Sequence, residues 1–282
     1  MKELLIAALV MIPVGSAMAE TRANVPLYTW SGFYVGANAG YSWGRGEGDN
    51  SRTVTAIGFG MNSGNNVITP NTVGENTKLN GGLGGIQGGY NWQYNSWLYG
   101  LEADVQATGQ QGDGRSQFTA FIGSTTNGIP NTATVTQTTN YRLPWFTTLR
   151  GRLGFTSERR LVYATAGLAI AEIKSSLSAV ATFSDPFAPE TLSQPSTARD
   201  VQAGWVLGAG IETALNDAWS FKLEYLHMDF GGGVDHAFAT APILTGSANV
   251  TTAGNVQARL TDDIVRVGIN YRFGGGPIIG YR

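Results

Sequence analysis

Cysteine is absent from this 282-residue chain. That excludes disulfides, thiolate metal sites, a thiol nucleophile and a lipid-modified cysteine, so membrane attachment must come from the fold. Charge is scarce too: Asp, Glu, Lys and Arg make up 13% of the sequence, about half the share of an ordinary soluble domain. The formal charge is −2 and no basic run is present, so a nucleic-acid backbone would find no counter-surface. No stretch approaches the ~20 apolar residues that a helical span requires. The apolar run from Leu4 to Val14 is eleven residues long, follows Lys2 and precedes Ala17-Met18-Ala19. This is the pattern of a secretory signal cleaved before Glu20.

Glycine is abundant, with 39 residues, about twice the usual share. The clusters GGLGGIQGG and GWVLGAG lack G-x-G-x-x-G spacing and open no helix, which argues against a nucleotide site. In strands, glycine permits curvature and close packing.

The stretch Thr261 to Phe273, TDDIVRVGINYRF, shows what surrounds it. Val265, Val267, Ile269, Tyr271 and Phe273 share one face of an extended strand, and Arg266, Gly268, Asn270 and Arg272 share the other. Seven further segments follow, six of which alternate in the same way. Gly32 to Trp43 puts Phe33, Val35, Ala37, Ala39, Tyr41 and Trp43 outward and Tyr34, Asn38 and Ser42 inward. Gly82 to Tyr94 sets Ile86, Tyr90, Trp92 and Tyr94 against Gln87, Asn91 and Gln93. Trp97 to Thr108 sets Trp97, Tyr99, Leu101, Ala103 and Val105 against Glu102, Asp104 and Gln106. Tyr141 to Phe155 places Leu143, Trp145, Leu149, Leu153 and Phe155 outward and Arg142, Phe146, Thr148, Arg150 and Arg152 inward. Leu161 to Lys174 has small residues and no clear facing. Val201 to Leu215 opposes Ala203, Trp205, Leu207, Ala209 and Ile211 to Gln202, Gly204, Gly208, Gly210 and Glu212. Trp219 to Phe230 opposes Trp219, Phe221, Leu223 and Tyr225 to Ser220, Lys222 and Glu224.

The connections alternate between long (about residues 44–81, 109–140, 175–200 and 231–260) and short (Asn95-Ser96, Thr156 to Arg160, Asn216 to Ala218). This spacing predicts an all-β, eight-stranded antiparallel up-and-down transmembrane barrel with short periplasmic turns, long extracellular loops and periplasmic termini. Each segment, of about 12 residues, exceeds the 9 to 11 needed by a tilted spanning strand. Nine of the ten prolines fall outside the segments, Pro144 being the exception, as strand ladders require. The expected organisation is a signal peptide over 1–19, a periplasmic lead-in over 20–31, the barrel over 32–273 and a periplasmic tail over 274–282. Trp97, Trp219, Tyr94 and Phe155 are expected in an aromatic girdle at the periplasmic boundary, and Trp43 nearer the other one.

The pieces WSGFYVGANAGYSWG, GGYNWQY, YGLEADVQ, LPWFTTLRGRLGF, YATAGLA, GWVLGAGIE, WSFKLEYLHMDF and IVRVGINYRF together resemble the rhizobial and Brucella-type outer-membrane β-barrel proteins, the porin-family or immunogenic outer-membrane proteins. The resemblance covers all eight segments and none of the long loops. It implies an abundant, surface-exposed, antigenic protein of the Gram-negative outer membrane, proposed to be porin-like and sometimes peptidoglycan-associated. It also implies an assembly signal at Tyr271 and Phe273, although such barrels usually stop at that phenylalanine and here nine residues follow. Outer-membrane lipid, lipopolysaccharide and the barrel assembly machinery are the expected partners. No nucleic acid is expected.

Inward-facing charge is arranged to pair. Glu102 and Asp104 lie at heights similar to Arg152 and Arg150, and Glu212 faces Lys222 across a short turn, with Glu224, Arg266 and Arg272 close by. An eight-stranded interior is just wide enough to be filled by its own side chains, so the expectation is a salt-bridged plug. A narrow porin-like channel is the alternative. His227 and Asp229, with Asp235 and His236 beyond them, form the one candidate acid–base cluster, but no nucleophile accompanies them and no enzyme activity is expected. His227 and His236 are weak candidates for haem or metal, and no cofactor is expected. The long Thr-, Asn-, Ser- and Gly-rich connections suit surface contacts such as adhesion, without naming a ligand.

Overall fold

The computed structural model describes residues 28–57, 67–124, 130–183, 191–239, 243–245 and 248–273. The expected signal peptide, most of the lead-in and the tail lie outside them. Nine strands follow one another: β1 (Gly32–Ile57), β2 (Val67–Tyr94), β3 (Trp97–Ser124), β4 (Pro130–Ser157), β5 (Arg160–Phe183), β6 (Thr191–Ala214), β7 (Trp219–Ala239), β8 (Ile243–Thr245) and β9 (Ala248–Arg272). β8 is a three-residue strand paired with β9 within the last long connection. The other eight pair antiparallel with their neighbours in sequence, and β9 returns to pair with β1 from Tyr34↔Arg272 to Ile57↔Asn249. The wall is therefore a closed eight-stranded up-and-down barrel, and closure removes the sheet edges that an open eight-stranded sheet would leave.

The short turns explain themselves locally. Asn95 takes the left-handed conformation (φ 53°) in the two-residue link between β2 and β3, and Glu158 does so (φ 51°) between β4 and β5. In the β6–β7 turn, Asn216 Oδ1 accepts hydrogen bonds from the amides of Ala218 (2.9 Å) and Trp219 (2.8 Å). A short polar side chain that caps its own backbone is what such a turn needs.

At the opposite end the strands run much further than the sequence pattern indicates, with wall strands of 21 to 28 residues instead of about 12. Most of what reads as long loop is ladder: β1 and β2 pair continuously out to Ala56↔Val67. Beyond an apolar belt the strand need no longer alternate, so backbone pairing persists after the hydrophobic signal has ended. Two seams are shorter: β2–β3 pairs only from Asn80↔Gln111 to Tyr94↔Trp97, and the β6–β7 seam only from Trp205↔Asp229 to Ala214↔Ser220. Above it β7 is bulged around Gly231, whose φ of +68° suits glycine.

The outward face carries the apolar residues. On β3, Trp97, Tyr99, Leu101 and Val105 are all at least half exposed. From Trp97 to Ala107 the strand rises ten steps of about 3.3 Å, which at a tilt of about 40° is about 25 Å of apolar wall. β5 faces outward through Val162, Ala164, Ala166, Leu168 and Ile170, and inward through Leu161, Tyr163, Thr165, Ala169 and Ala171. Its small residues had concealed this alternation.

One facing is reversed. Leu143 is buried in the lumen and Arg142 is exposed, opposite to the alternation read from the segment's lower half. A register shift lies between Arg142 and Trp145 against β5, and another between Ala107 and Gln110 against β4. Pro144 falls at this irregularity, where a residue without an amide donor breaks no regular ladder.

Candidate functional site: the filled lumen

Midway up the lumen, charged side chains from five strands (β3, β4, β6, β7 and β9) meet in an ionic belt. Glu102 on β3 is the hub. Its carboxylate takes Lys222 Nζ at 3.1 Å from both oxygens, Arg152 Nη1 at 3.3 Å and the Tyr34 hydroxyl at 2.7 Å, and pairs with Arg150 as well. Asp104 Oδ2 accepts from Arg150 Nη2, Arg266 Nη2 and Thr148 Oγ1, each at 2.9 Å. Glu224 is held by Arg266 Nε at 2.7 Å and the Tyr163 hydroxyl at 2.8 Å, with Arg150 Nη1 at 3.2 Å. Glu212 takes Arg152 Nη2 at 2.8 Å, Ser220 Oγ at 2.5 Å and Asn270 Nδ2 at 2.8 Å. Asn270 continues through Gln87 (2.6 Å) to Asn38 (3.0 Å).

The belt thus joins four carboxylates (Glu102, Asp104, Glu212, Glu224) to four cations (Arg150, Arg152, Lys222, Arg266), and none of the eight is more than 4% exposed. Charge is balanced within it. Arg152 also lies over the Tyr163 ring, 4.0 Å from its centroid. Tyr163 finds room because Gly210 faces it: a β-carbon there would sit 2.5 Å from the phenol.

Backbone register and side-chain pairing differ in detail. Glu102 stands opposite Arg150, Gly100 opposite Arg152 and Asp104 opposite Thr148. Arginine is long enough to reach one pair further. Glu212 and Lys222 are opposite each other in register, but Lys222 pairs with Glu102 and Glu224, and Arg152 pairs with Glu212.

Apolar layers close the lumen on either side of the belt. Above it pack Leu79, Leu83, Leu143, Phe146, Ile173, Val206, Leu226, Met228 and Ile264. Below it, at the short-turn mouth, Trp30 packs with Leu98, Leu161, Tyr163 and Ala214. Trp30 is 2% exposed and its amide donates to Gln93 Oε1 at 2.8 Å. Tyr28 stacks edge-on against it with centroids 5.0 Å apart. Burial pushes the Tyr28 phenol above its ordinary pKa, while the Arg272 guanidinium, 4.4 Å over its ring, pulls the other way. Sequence reading missed this cap because Tyr28 and Trp30 precede the alternating pattern.

Arg272 stands apart from the belt, donating to the Asp217 carbonyl at 2.7 Å. The outward aromatic residues Trp97, Trp219, Tyr94 and Phe155 lie toward the short turns and Trp43 toward the other end, all exposed. Phe273 faces outward, stacked on Tyr271 at 5.2 Å, and its amide closes onto the Phe33 carbonyl at 2.8 Å.

His227 joins a different partner from the one its sequence neighbours indicate. It faces outward, its Nδ1 2.8 Å from Asp263 Oδ1, which also accepts from Tyr225 Oη at 2.6 Å, and its ring stacks on Trp205. Asp229 instead pairs with Arg259 and accepts from the Gly231 amide at 2.8 Å. The side chain of His236 lies outside the described residues. Among the described residues, no group of three or more His, Asp or Glu could hold a metal ion.

A closed eight-stranded wall with an outward apolar belt and a polar, side-chain-filled interior narrows the comparison to one kind of protein. The model of the outer-membrane protein β-barrel domain matches residues 5–273. The chain belongs to this outer-membrane β-barrel family. The barrel is 31% identical to the 31 kDa outer-membrane immunogenic protein of Brucella melitensis, over 93% of this chain and 91% of that protein. It is 26% identical to the 22 kDa outer membrane protein of Rhizobium leguminosarum, over 73% and 66%. Among solved structures, OprG from Pseudomonas aeruginosa aligns at 15% identity and a TM-score of 0.41, covering 86% of this chain and 97% of that one. This is an outer-membrane protein, and these relatives carry names of outer-membrane and immunogenic proteins rather than of enzymes.

Proposed function

We propose that this outer-membrane barrel is a sealed structural protein that presents its long-strand end at the cell surface. The observation that carries the reading is the charge-balanced belt. Opening a path past Glu102 or Glu224 would break the buried ion pairs that hold them to Arg150, Lys222 and Arg266, which is costly. The apolar layers above and below add two further barriers. In this reading the short turns and both termini are periplasmic, the long strands project beyond the lipopolysaccharide leaflet, and the apolar belt meets outer-membrane lipid after insertion by the barrel assembly machinery. Any peptidoglycan contact would use the short turns or the termini. Surface exposure fits the immunogenic names of the relatives.

Conductance of the refolded protein in planar bilayers tests the proposal. A sealed barrel gives no openings in the nanosiemens range. Nanosiemens openings would replace the proposal with a porin-like channel.

A further inference from the structure

Just beyond the apolar belt, towards the long-strand end, the outer face of the wall brings three cations into one row. Arg142 on β4 stands opposite Lys174 on β5, and Lys174 stands opposite Arg199 on β6. All three point away from the lumen: their neighbours Leu143 and Ile173 are buried in the inner apolar layer, and Val201, two places along from Arg199, is exposed. Arg142 and Arg199 are exposed and Lys174 is half-buried. The irregularity at Pro144 makes the row possible. Unbroken alternation would aim Arg142 into the lumen, and the register shift between Arg142 and Trp145 turns it out beside Lys174.

Such a row is unfavourable by itself. Directly opposed side chains of a sheet have β-carbons about 5 Å apart, and like charges at that spacing destabilise the pair. The nearby carboxylates do not cancel them. Among the described residues, Glu172 lies 3.7 Å from Lys174 and also accepts from Trp145 Nε1 at 2.9 Å, while neither Arg142 nor Arg199 has a carboxylate within ion-pair distance. Asp200 stands opposite Ile173, on the lumen side, and Asp113 lies one row further out, opposite Asn140. Three cations against Glu172 leave two positive charges uncompensated. Beneath them on the same face lie the apolar side chains Leu149, Leu168, Ile170 and Trp205.

We propose that Arg142, Lys174 and Arg199 bind a phosphate of lipopolysaccharide, whose acyl chains lie along the apolar wall beneath them. Two uncompensated positive charges match a phosphate monoester, which carries about −1.5 to −2 at neutral pH. Guanidinium groups offer paired donors to its oxygens, and cations beside a lipid-facing wall attract anionic headgroups. The lipid bridges β4, β5 and β6 and removes the repulsion within the row. Its leaflet rests on the surface orientation proposed above.

The test titrates the full-length barrel, refolded in zwitterionic detergent, with phosphorylated lipid A and with the same lipid enzymatically dephosphorylated, reading bound lipid by native mass spectrometry. The wild type should bind the phosphorylated form about tenfold more tightly or better. The double variant Arg142→Gln/Arg199→Gln should lose most of that preference, whereas Arg159→Gln, at the short-turn end, should keep it. Without lipid the double variant should melt no lower than the wild type, since it removes repulsion and breaks no pair; that result also shows that it folds. Equal affinity for the two lipids, or an undiminished preference in the double variant, would overturn the site. Phosphatidylglycerol binding as tightly as phosphorylated lipid A would reduce it to general attraction for anionic lipid, and displacement by inorganic phosphate would make it a site for the free ion; either overturns the proposal. Binding in detergent is blind to orientation and to sealing, so its failure strikes this site alone, and nanosiemens conductance strikes the sealed reading alone.

Discussion

Replacing Glu102 by glutamine is the sharpest probe of the belt, because it changes one charge and almost no volume. Glu102 stands within ion-pair distance of Lys222, Arg150, Arg152 and Arg266, all with fully buried side chains. After the substitution four cations face three carboxylates, and the new amide donor is set against guanidinium donors that cannot accept. Removing one partner from a buried ion network costs about 3–5 kcal/mol, and that loss is expected in urea unfolding of the barrel in lipid vesicles, with an unchanged denaturant slope. Adding Lys222→Met returns the belt to three charges of each sign and should recover about half of the loss or more. The exposed pair Arg159–Asp217, 3.3 Å apart, supplies the control: Arg159→Ala should change stability by less than about 1 kcal/mol. If Glu102→Gln cost no more than Arg159→Ala, the belt would not be the stabilising network described above.

Two further outcomes follow from the packing. Gly210→Ala drives a methyl group into Tyr163 and should cost about 1–3 kcal/mol, whereas Gly151→Ala, which faces outward with its nearest neighbour 3.8 Å away, should be neutral within ~0.5 kcal/mol; equal effects in vesicle unfolding would contradict the facing of these strands. Trp30→Ala removes the largest side chain of the short-turn cap and should lower stability by about 3 kcal/mol, yet leave bilayers non-conducting because the belt remains; an open channel in this variant would assign the seal to the cap alone.

Some of this was legible from residue order. Alternation in the segment ending at Phe273 placed Arg266 in the lumen and Val265 in lipid, because a strand has only two faces and the two solvents differ. The short turns were marked by Asn95 and Asn216, whose chemistry is local. Alternation failed at Leu143 because a bulge inserts residues and flips every facing beyond it. It was silent on β5, where alanines occupy both faces. Strand length escaped for a related reason: outside the apolar belt neither face demands hydrophobic residues, so Thr- and Asn-rich ladder reads as loop.

By itself the sequence determined the wall: eight strands, their order, the faces of most of them and the compartment, all of which rest on period-two patterning and turn residues close together in the chain. Only the tertiary structure decided what fills it. Which carboxylate Arg150 and Arg152 choose depends on how far each side chain reaches across the lumen, and His227 found Asp263 rather than Asp229 because wall register, not sequence adjacency, sets neighbours. Distances between strands far apart in the chain are not written in any local pattern.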